Sequence, residues 1–142
     1  MAPDVAYVAL GSNLGDRAAH LAHARAALAE LPRTTFLMAS MAEETEPFGP
    51  IDQGTFLNQM VALETELSPR ELLAELHRIE LAEGRTRVGE VRWGPRTLDL
   101  DIVCYDRQTV NDEDLVVPHP AIEDRDFWRR ELAELRDALG VK

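Results

Sequence analysis

Positive charge is scarce in this sequence: 15 Lys and Arg stand against 26 Asp and Glu, a formal net charge of −11. That balance speaks against general nucleic-acid binding, which relies on a basic surface. It speaks equally against an anionic membrane surface as the partner. A small anionic ligand stays compatible, because a local positive pocket holds it whatever the total charge. Cysteine is nearly absent, with Cys104 alone. No internal disulfide can form, and a reducing, cytoplasmic location is expected. No stretch approaches the roughly 20 apolar residues of a spanning helix. No basic segment precedes an apolar run, so no secretory leader is expected either. Repeats, linkers and low-complexity segments are missing, and 142 residues suit a single domain over 1–142 with one sizeable core.

What is present reads as alternating strands and helices. Val5 to Leu10 is a nearly continuous apolar run ending at Gly11, as in a buried central strand. The turn Gly11-Ser12-Asn13-Leu14-Gly15-Asp16 follows. It lacks the lysine of a nucleotide P-loop and the third glycine of a dinucleotide fingerprint, so a strand-to-helix turn is the better reading. Leu21, Ala24, Leu28 and Leu31 recur at helical spacing over Arg17–Leu31, closed by Pro32. Thr34–Met41 predicts a second strand and Phe56–Leu67 a third, separated by the loop Pro47 to Gly54. Ser68-Pro69-Arg70-Glu71 predicts a helix start with a capping box, and the helix stops near Gly84. Thr97–Tyr105 predicts the fourth main strand. A hairpin excursion turning at Asn111-Asp112 and a final amphipathic helix marked by Trp128, Leu132, Leu135 and Leu139 complete the chain. The order is that of an α+β, ferredoxin-like βαββαβ unit, an antiparallel sheet with helices on one face.

Chemistry concentrates between Glu80 and Ile102, which holds Arg85, Arg87, Arg92, Arg96 and Trp93 ahead of Asp99 and Asp101. In the predicted strand Leu98, Leu100, Ile102 and Cys104 alternate with Thr97, Asp99, Asp101 and Val103, so the apolar set faces the helices and both aspartates share the other face. Carboxylates held that close repel unless a cation lies between them. Oxygen ligands on a rigid strand suit Mg²⁺ together with substrate phosphates, and the arginines upstream favour that reading over two solvated aspartates. Arginine forks match phosphate oxygens. A closing loop carrying them, with Trp93 as its anchor, would exclude water. His119, flanked by Pro118 and Pro120, suits either a phosphate contact or a structural role.

The run Gly84-Arg85-Thr86-Arg87, followed by Arg92-Trp93-Gly94-Pro95-Arg96-Thr97-Leu98-Asp99-Leu100-Asp101-Ile102, closely resembles the signature of the 6-hydroxymethyl-7,8-dihydropterin pyrophosphokinase family of folate biosynthesis. The likeness extends from Ala6 through Phe48-Gly49-Pro50, Phe56-Leu57-Asn58 and Val117-Pro118-His119 to about Phe127. It implies transfer of pyrophosphate from ATP, the co-substrate, to the pterin's hydroxymethyl oxygen with release of AMP, two Mg²⁺ ions and a monomer. It implies that Asp99 and Asp101 bind the metal, and that Arg85 and Arg96 meet the phosphates during transfer. Arg87, Arg92, Trp93, His119 and Arg125 become ATP contacts, with Glu80 and Ile102 near the nucleotide. Phe56 and Phe127 sandwich the pterin ring, while Thr45, Phe48, Asn58 and Gly11 line its edge. No general base stands out; Asp101 is the one candidate proton acceptor. The chain departs from the family pattern at Glu46, Asp114 and Val116, and in the charged helix after Phe127. The rival readings are a metal-dependent nuclease or nucleotidyltransferase, and a non-catalytic pterin- or nucleotide-binding module.

Overall fold

Asp4–Ser12 forms β1, and every residue of it except Val5 is buried. The computed structural model describes residues 2–47, 49–85 and 96–141. β1 pairs antiparallel with β4 (Phe56–Thr65) on one side and with β5 (Asp99–Tyr105) on the other. β2 (Thr34–Ala39) and the three-residue β3 (Glu43–Thr45) both pair with the far edge of β4, giving the order β2-β4-β1-β5 with β3 beside β4. β2 and β4 stop two residues short of their predicted ends, β5 begins two residues after its predicted start, and β1 runs past its predicted bounds at both ends. β3 escaped prediction because Glu43-Glu44-Thr45 has no apolar face to betray a strand.

α1 (Arg17–Ala29) starts on Asp16, whose side chain accepts from the Ala19 N–H. α2 (Pro69–Ala82) carries the predicted capping box in full: Ser68 Oγ accepts from Glu71 N at 3.1 Å and Glu71 Oε1 from Ser68 N at 2.9 Å. Leu21 and Leu28 of α1 and Leu72 and Leu76 of α2 pack on Ala6, Val8, Leu10, Val61 and Leu63. The opposite face of the sheet, with Tyr7, Ala9, Met60 and Ala62, is covered by α3 (Asp126–Leu139) through Trp128 and Leu135. Helices therefore lie on both faces, two on one and α3 on the other. The hairpin excursion is β6 (Val110–Asn111) with β7 (Val116–Val117), followed by a 3₁₀ turn over Pro120–Asp124.

One expectation about β5 is overturned. Tyr7 pairs with Cys104 but its neighbour Val8 pairs with Ile102, so Val103 is an extra residue that shifts the alternation. Leu98, Leu100 and Ile102 face α1 and α2 as predicted; Cys104 instead packs toward α3 beside Tyr7. Burial pushes its thiol up to about 11, which leaves it an inert core residue.

Glu131 of α3 is 2% exposed, and its two carboxylate oxygens lack hydrogen-bond partners among the described residues. Burial, then the nearby Glu43, pushes its carboxyl up to about 9. The folded state thus holds a proton that the unfolded chain gives up in the ordinary glutamate range. Stability is therefore lost as pH rises from that range toward 9. Glu131→Gln removes the ionisation. It is expected to exceed the parent in stability at pH 8 by on the order of 1–2 kcal/mol, with the gap closing toward pH 5. Urea unfolding at both pH values measures it.

Candidate active site

β5 delivers two carboxylates to the α3 side of the sheet: Asp99 lies opposite Gly11 and Asp101 opposite Ala9 of β1. Their strand neighbours Leu98, Leu100 and Ile102 are buried on the other face, which fixes the register of the pair. Asp99 Oδ1 accepts from Arg85 Nη1 at 2.9 Å, and its Oδ2 lies 3.7 Å from Arg96 Nη1. Asp101 Oδ1 lies 3.7 Å from His119 Nε2. Burial, then the charge of Asp99, pushes the Asp101 carboxyl up to about 8, against the pull of Arg125. Its side chain is still 29% exposed, so a ligand can reach it. Two hard oxygen donors whose charges oppose each other are a donor set that fits Mg²⁺.

Arg85 is held from behind. Glu80, 1% exposed, accepts from Arg85 Nη1 at 2.7 Å and from the Leu100 N–H at 2.8 Å. Glu80 thus ties α2 to both β5 and the guanidinium, and sits beneath the site. Arg96 is positioned through its backbone: its N–H donates to Asn13 Oδ1 at 2.8 Å and its carbonyl accepts from Asn13 N at 3.2 Å. The amide of Asn13 also donates to Gln53 Oε1 at 2.7 Å and to the Gly54 carbonyl at 3.1 Å. In sequence Asn13 reads only as turn chemistry, yet it joins three segments around the site.

The Nδ1 of His119 accepts from the Ala121 N–H at 3.0 Å, capping the 3₁₀ turn. A neutral imidazole therefore carries its proton on Nε2, the nitrogen facing Asp101. Burial, then Arg125, lowers the pKa of His119 and favours that neutral form. Trp128, legible in sequence only as a helix marker, supports both groups. Its ring meets His119 edge-on at 5.0 Å and lies 4.5 Å from the Arg125 guanidinium.

Two cavities meet at the aspartates. The larger, about 450 Å³, is lined by Arg85, Arg96, Ile102, His119 and Arg125, with Leu73 and His77 of α2 and Asp114 and Val116 of the hairpin at its rim. Asp114 turns its carboxylate to Arg70 at 3.0 Å, which partly offsets the charge this departure from the family pattern brings. The smaller, about 40 Å³, is lined by Gly11, Thr45, Phe56, Asn58, Phe127 and Trp128. Asp99, Asp101 and Arg125 line both. Gly11 pairs with Asn58 across β1 and β4, and a Cβ there would lie 3.2 Å from Asn58 Oδ1 and 3.4 Å from the Phe56 ring. A side chain at position 11 would therefore push on both walls. Asn58 Nδ2 in turn donates to Thr45 Oγ1. All five described residues assigned by resemblance to the pterin come together here. Of the described ATP residues, only Glu80 stands back from the large cavity. Phe48, Arg87, Arg92 and Trp93 lie outside the described residues, and the closing-loop expectation with them.

Residues 7–137 match the family model for 7,8-dihydro-6-hydroxymethylpterin-pyrophosphokinase (HPPK). The chain is 47% identical over 132 residues to a 2-amino-4-hydroxy-6-hydroxymethyldihydropteridine pyrophosphokinase of Bacillus subtilis (strain 168), covering 93% of this chain and 78% of the relative. It is 46% identical over 136 residues to the enzyme of the same name from Methylorubrum extorquens, covering 96% and 85%. The Haemophilus influenzae enzyme of that name is 43% identical over 134 residues, covering 94% and 82%.

Proposed function

The chain belongs to the 7,8-dihydro-6-hydroxymethylpterin-pyrophosphokinase family, and from that membership we propose that it transfers pyrophosphate from ATP to 6-hydroxymethyl-7,8-dihydropterin, releasing AMP, in folate biosynthesis. The observation that carries the reading is the meeting of the two cavities at Asp99, Asp101 and Arg125. A phosphate donor in the larger and a flat ring in the smaller would bring their reacting atoms to those side chains.

The pterin ring stacks between Phe56 and Phe127, and Asn58 and Thr45 meet its polar edge, which points the hydroxymethyl group at the aspartates. ATP lies in the larger cavity, its phosphates met by Arg85, Arg96, His119 and Arg125. Asp99 and Asp101 would hold two Mg²⁺ ions, whose charge, when bound, offsets that of the transferring phosphates. The hydroxymethyl oxygen gives up its proton to water and bonds to the β-phosphorus in line as the bond from that phosphorus to the α,β-bridging oxygen breaks, leaving AMP. Arg85 and Arg96 steady the charge that builds on the phosphoryl oxygens. The reading includes a ferredoxin-like arrangement of β1, β2, β4 and β5 with α1 and α2, a single domain, a monomer and a cytoplasmic location.

Incubation with ATP, Mg²⁺ and the reduced hydroxymethylpterin tests it. AMP is expected to appear in step with pterin consumption; ADP in its place, or no pterin-dependent turnover, overturns the reading. Gly11→Val tests the assignment of the smaller cavity. The added methyls crowd Phe56 and Asn58, a penalty of about 1–3 kcal/mol. Pterin binding is expected to weaken about tenfold or more while ATP affinity holds, as two ligand titrations would measure.

A further inference from the structure

His20 and His23 stand three positions apart on α1, so both imidazoles leave the same face of the helix. Glu83, at the C-terminal cap of α2, reaches between them: its Oε2 lies 2.8 Å from His20 Nδ1 and 3.1 Å from His23 Nδ1. One ligand atom from each of the three residues lies within 4.8 Å of the others. An ion with bonds of about 2.0–2.2 Å can touch three atoms so placed after small side-chain adjustments. The side chains of His20 and Glu83 are 19% and 17% exposed and that of His23 is 63% exposed. The cluster therefore has a sheltered floor and an open side through which an ion can enter and a water can complete its shell. The reaction proposed above uses none of the three residues.

The end of α2 supplies a second reason. Its last turn contains no basic residue, and Glu83 places a carboxylate at the negative end of the helix dipole. A bound cation would offset both that carboxylate and the dipole.

We propose that His20, His23 and Glu83 form a transition-metal site of the Zn²⁺ class, separate from the aspartate pair. Two imidazoles and one carboxylate suit Zn²⁺ and its neighbours, while Mg²⁺ prefers oxygen ligands throughout. A bound ion ties α1 to the end of α2, two residues ahead of Arg85.

Zn²⁺ titration by calorimetry and by thermal melting, in excess Mg²⁺ to occupy the aspartate pair, tests the proposal. One Zn²⁺ per chain and a raised melting temperature are expected. His20→Gln/His23→Gln is expected to weaken that binding about tenfold or more and to erase the thermal shift. His23→Gln alone, at an exposed position, is expected to weaken it in a chain of unchanged metal-free stability. Absence of Zn²⁺ binding to the parent, or affinity undiminished in His23→Gln or in the double variant, overturns the proposal.

Discussion

Asp99→Ala and Asp101→Ala are each expected to lower turnover by about 10²–10³-fold or more, in proteins that melt no lower than the parent. The two halves of this expectation have separate causes. Both carboxylates border both cavities, so each stands where donor and acceptor would meet. Neither side chain belongs to the apolar core, to which β5 contributes Leu100, Ile102, Val103, Cys104 and Tyr105. Asp101 is held in place against burial and the charge of Asp99, and its removal relieves that repulsion. Removal of Asp99 leaves Arg85 its contact with Glu80 at 2.7 Å. Steady-state rates and thermal melts on the same preparations decide it. Unchanged rates in both variants would remove the aspartates from the chemistry, and a collapse in melting temperature would make them structural.

Arg85→Ala is expected to lose both turnover and stability, and a second substitution separates the two. Arg85 is 6% exposed and lies between Glu80, which is 1% exposed, and Asp99. Removing one partner of a buried ion pair costs about 3–5 kcal/mol. In Glu80→Gln/Arg85→Ala the carboxylate charge goes as well, so stability is expected to recover by on the order of 2 kcal/mol while turnover stays low. If Arg85 serves the transition state, the remaining rate should fall much more than ATP affinity. Equal losses in rate and affinity would make it an ordinary binding residue. Arg96→Ala provides a contrast, because the contacts with Asn13 run through the Arg96 backbone and survive the substitution. It is expected to lose turnover with little change in stability.

Much of the site could be read from sequence because strand alternation and the capping box are local. Alternation in β5 put Asp99 and Asp101 on one face without any knowledge of the partner strands, and Ser68 with Glu71 fixed the start of α2. The side of the sheet taken by α3 depends on long-range packing of Trp128 and Leu135 against Tyr7 and Met60, which no local pattern encodes. The bulge at Val103 is likewise a property of pairing with β1, and it turned Cys104 to the other face. Asn13, Glu80 and Trp128 act by reaching residues distant in sequence. Asn13 was legible only as a turn residue, and Trp128 only as a helix position. The resemblance placed Glu80 near the nucleotide; its contacts with Arg85 and the Leu100 N–H, which no local pattern announces, set it beneath the site.

The most direct test of the central claim follows the phosphorus atoms. With ATP labelled separately at the β- and γ-phosphates, Mg²⁺ and the reduced hydroxymethylpterin, both labels are expected to leave together and appear on the pterin product, with unlabelled AMP left behind. Transfer of the γ-label alone, with the β-label retained in ADP, would contradict the account.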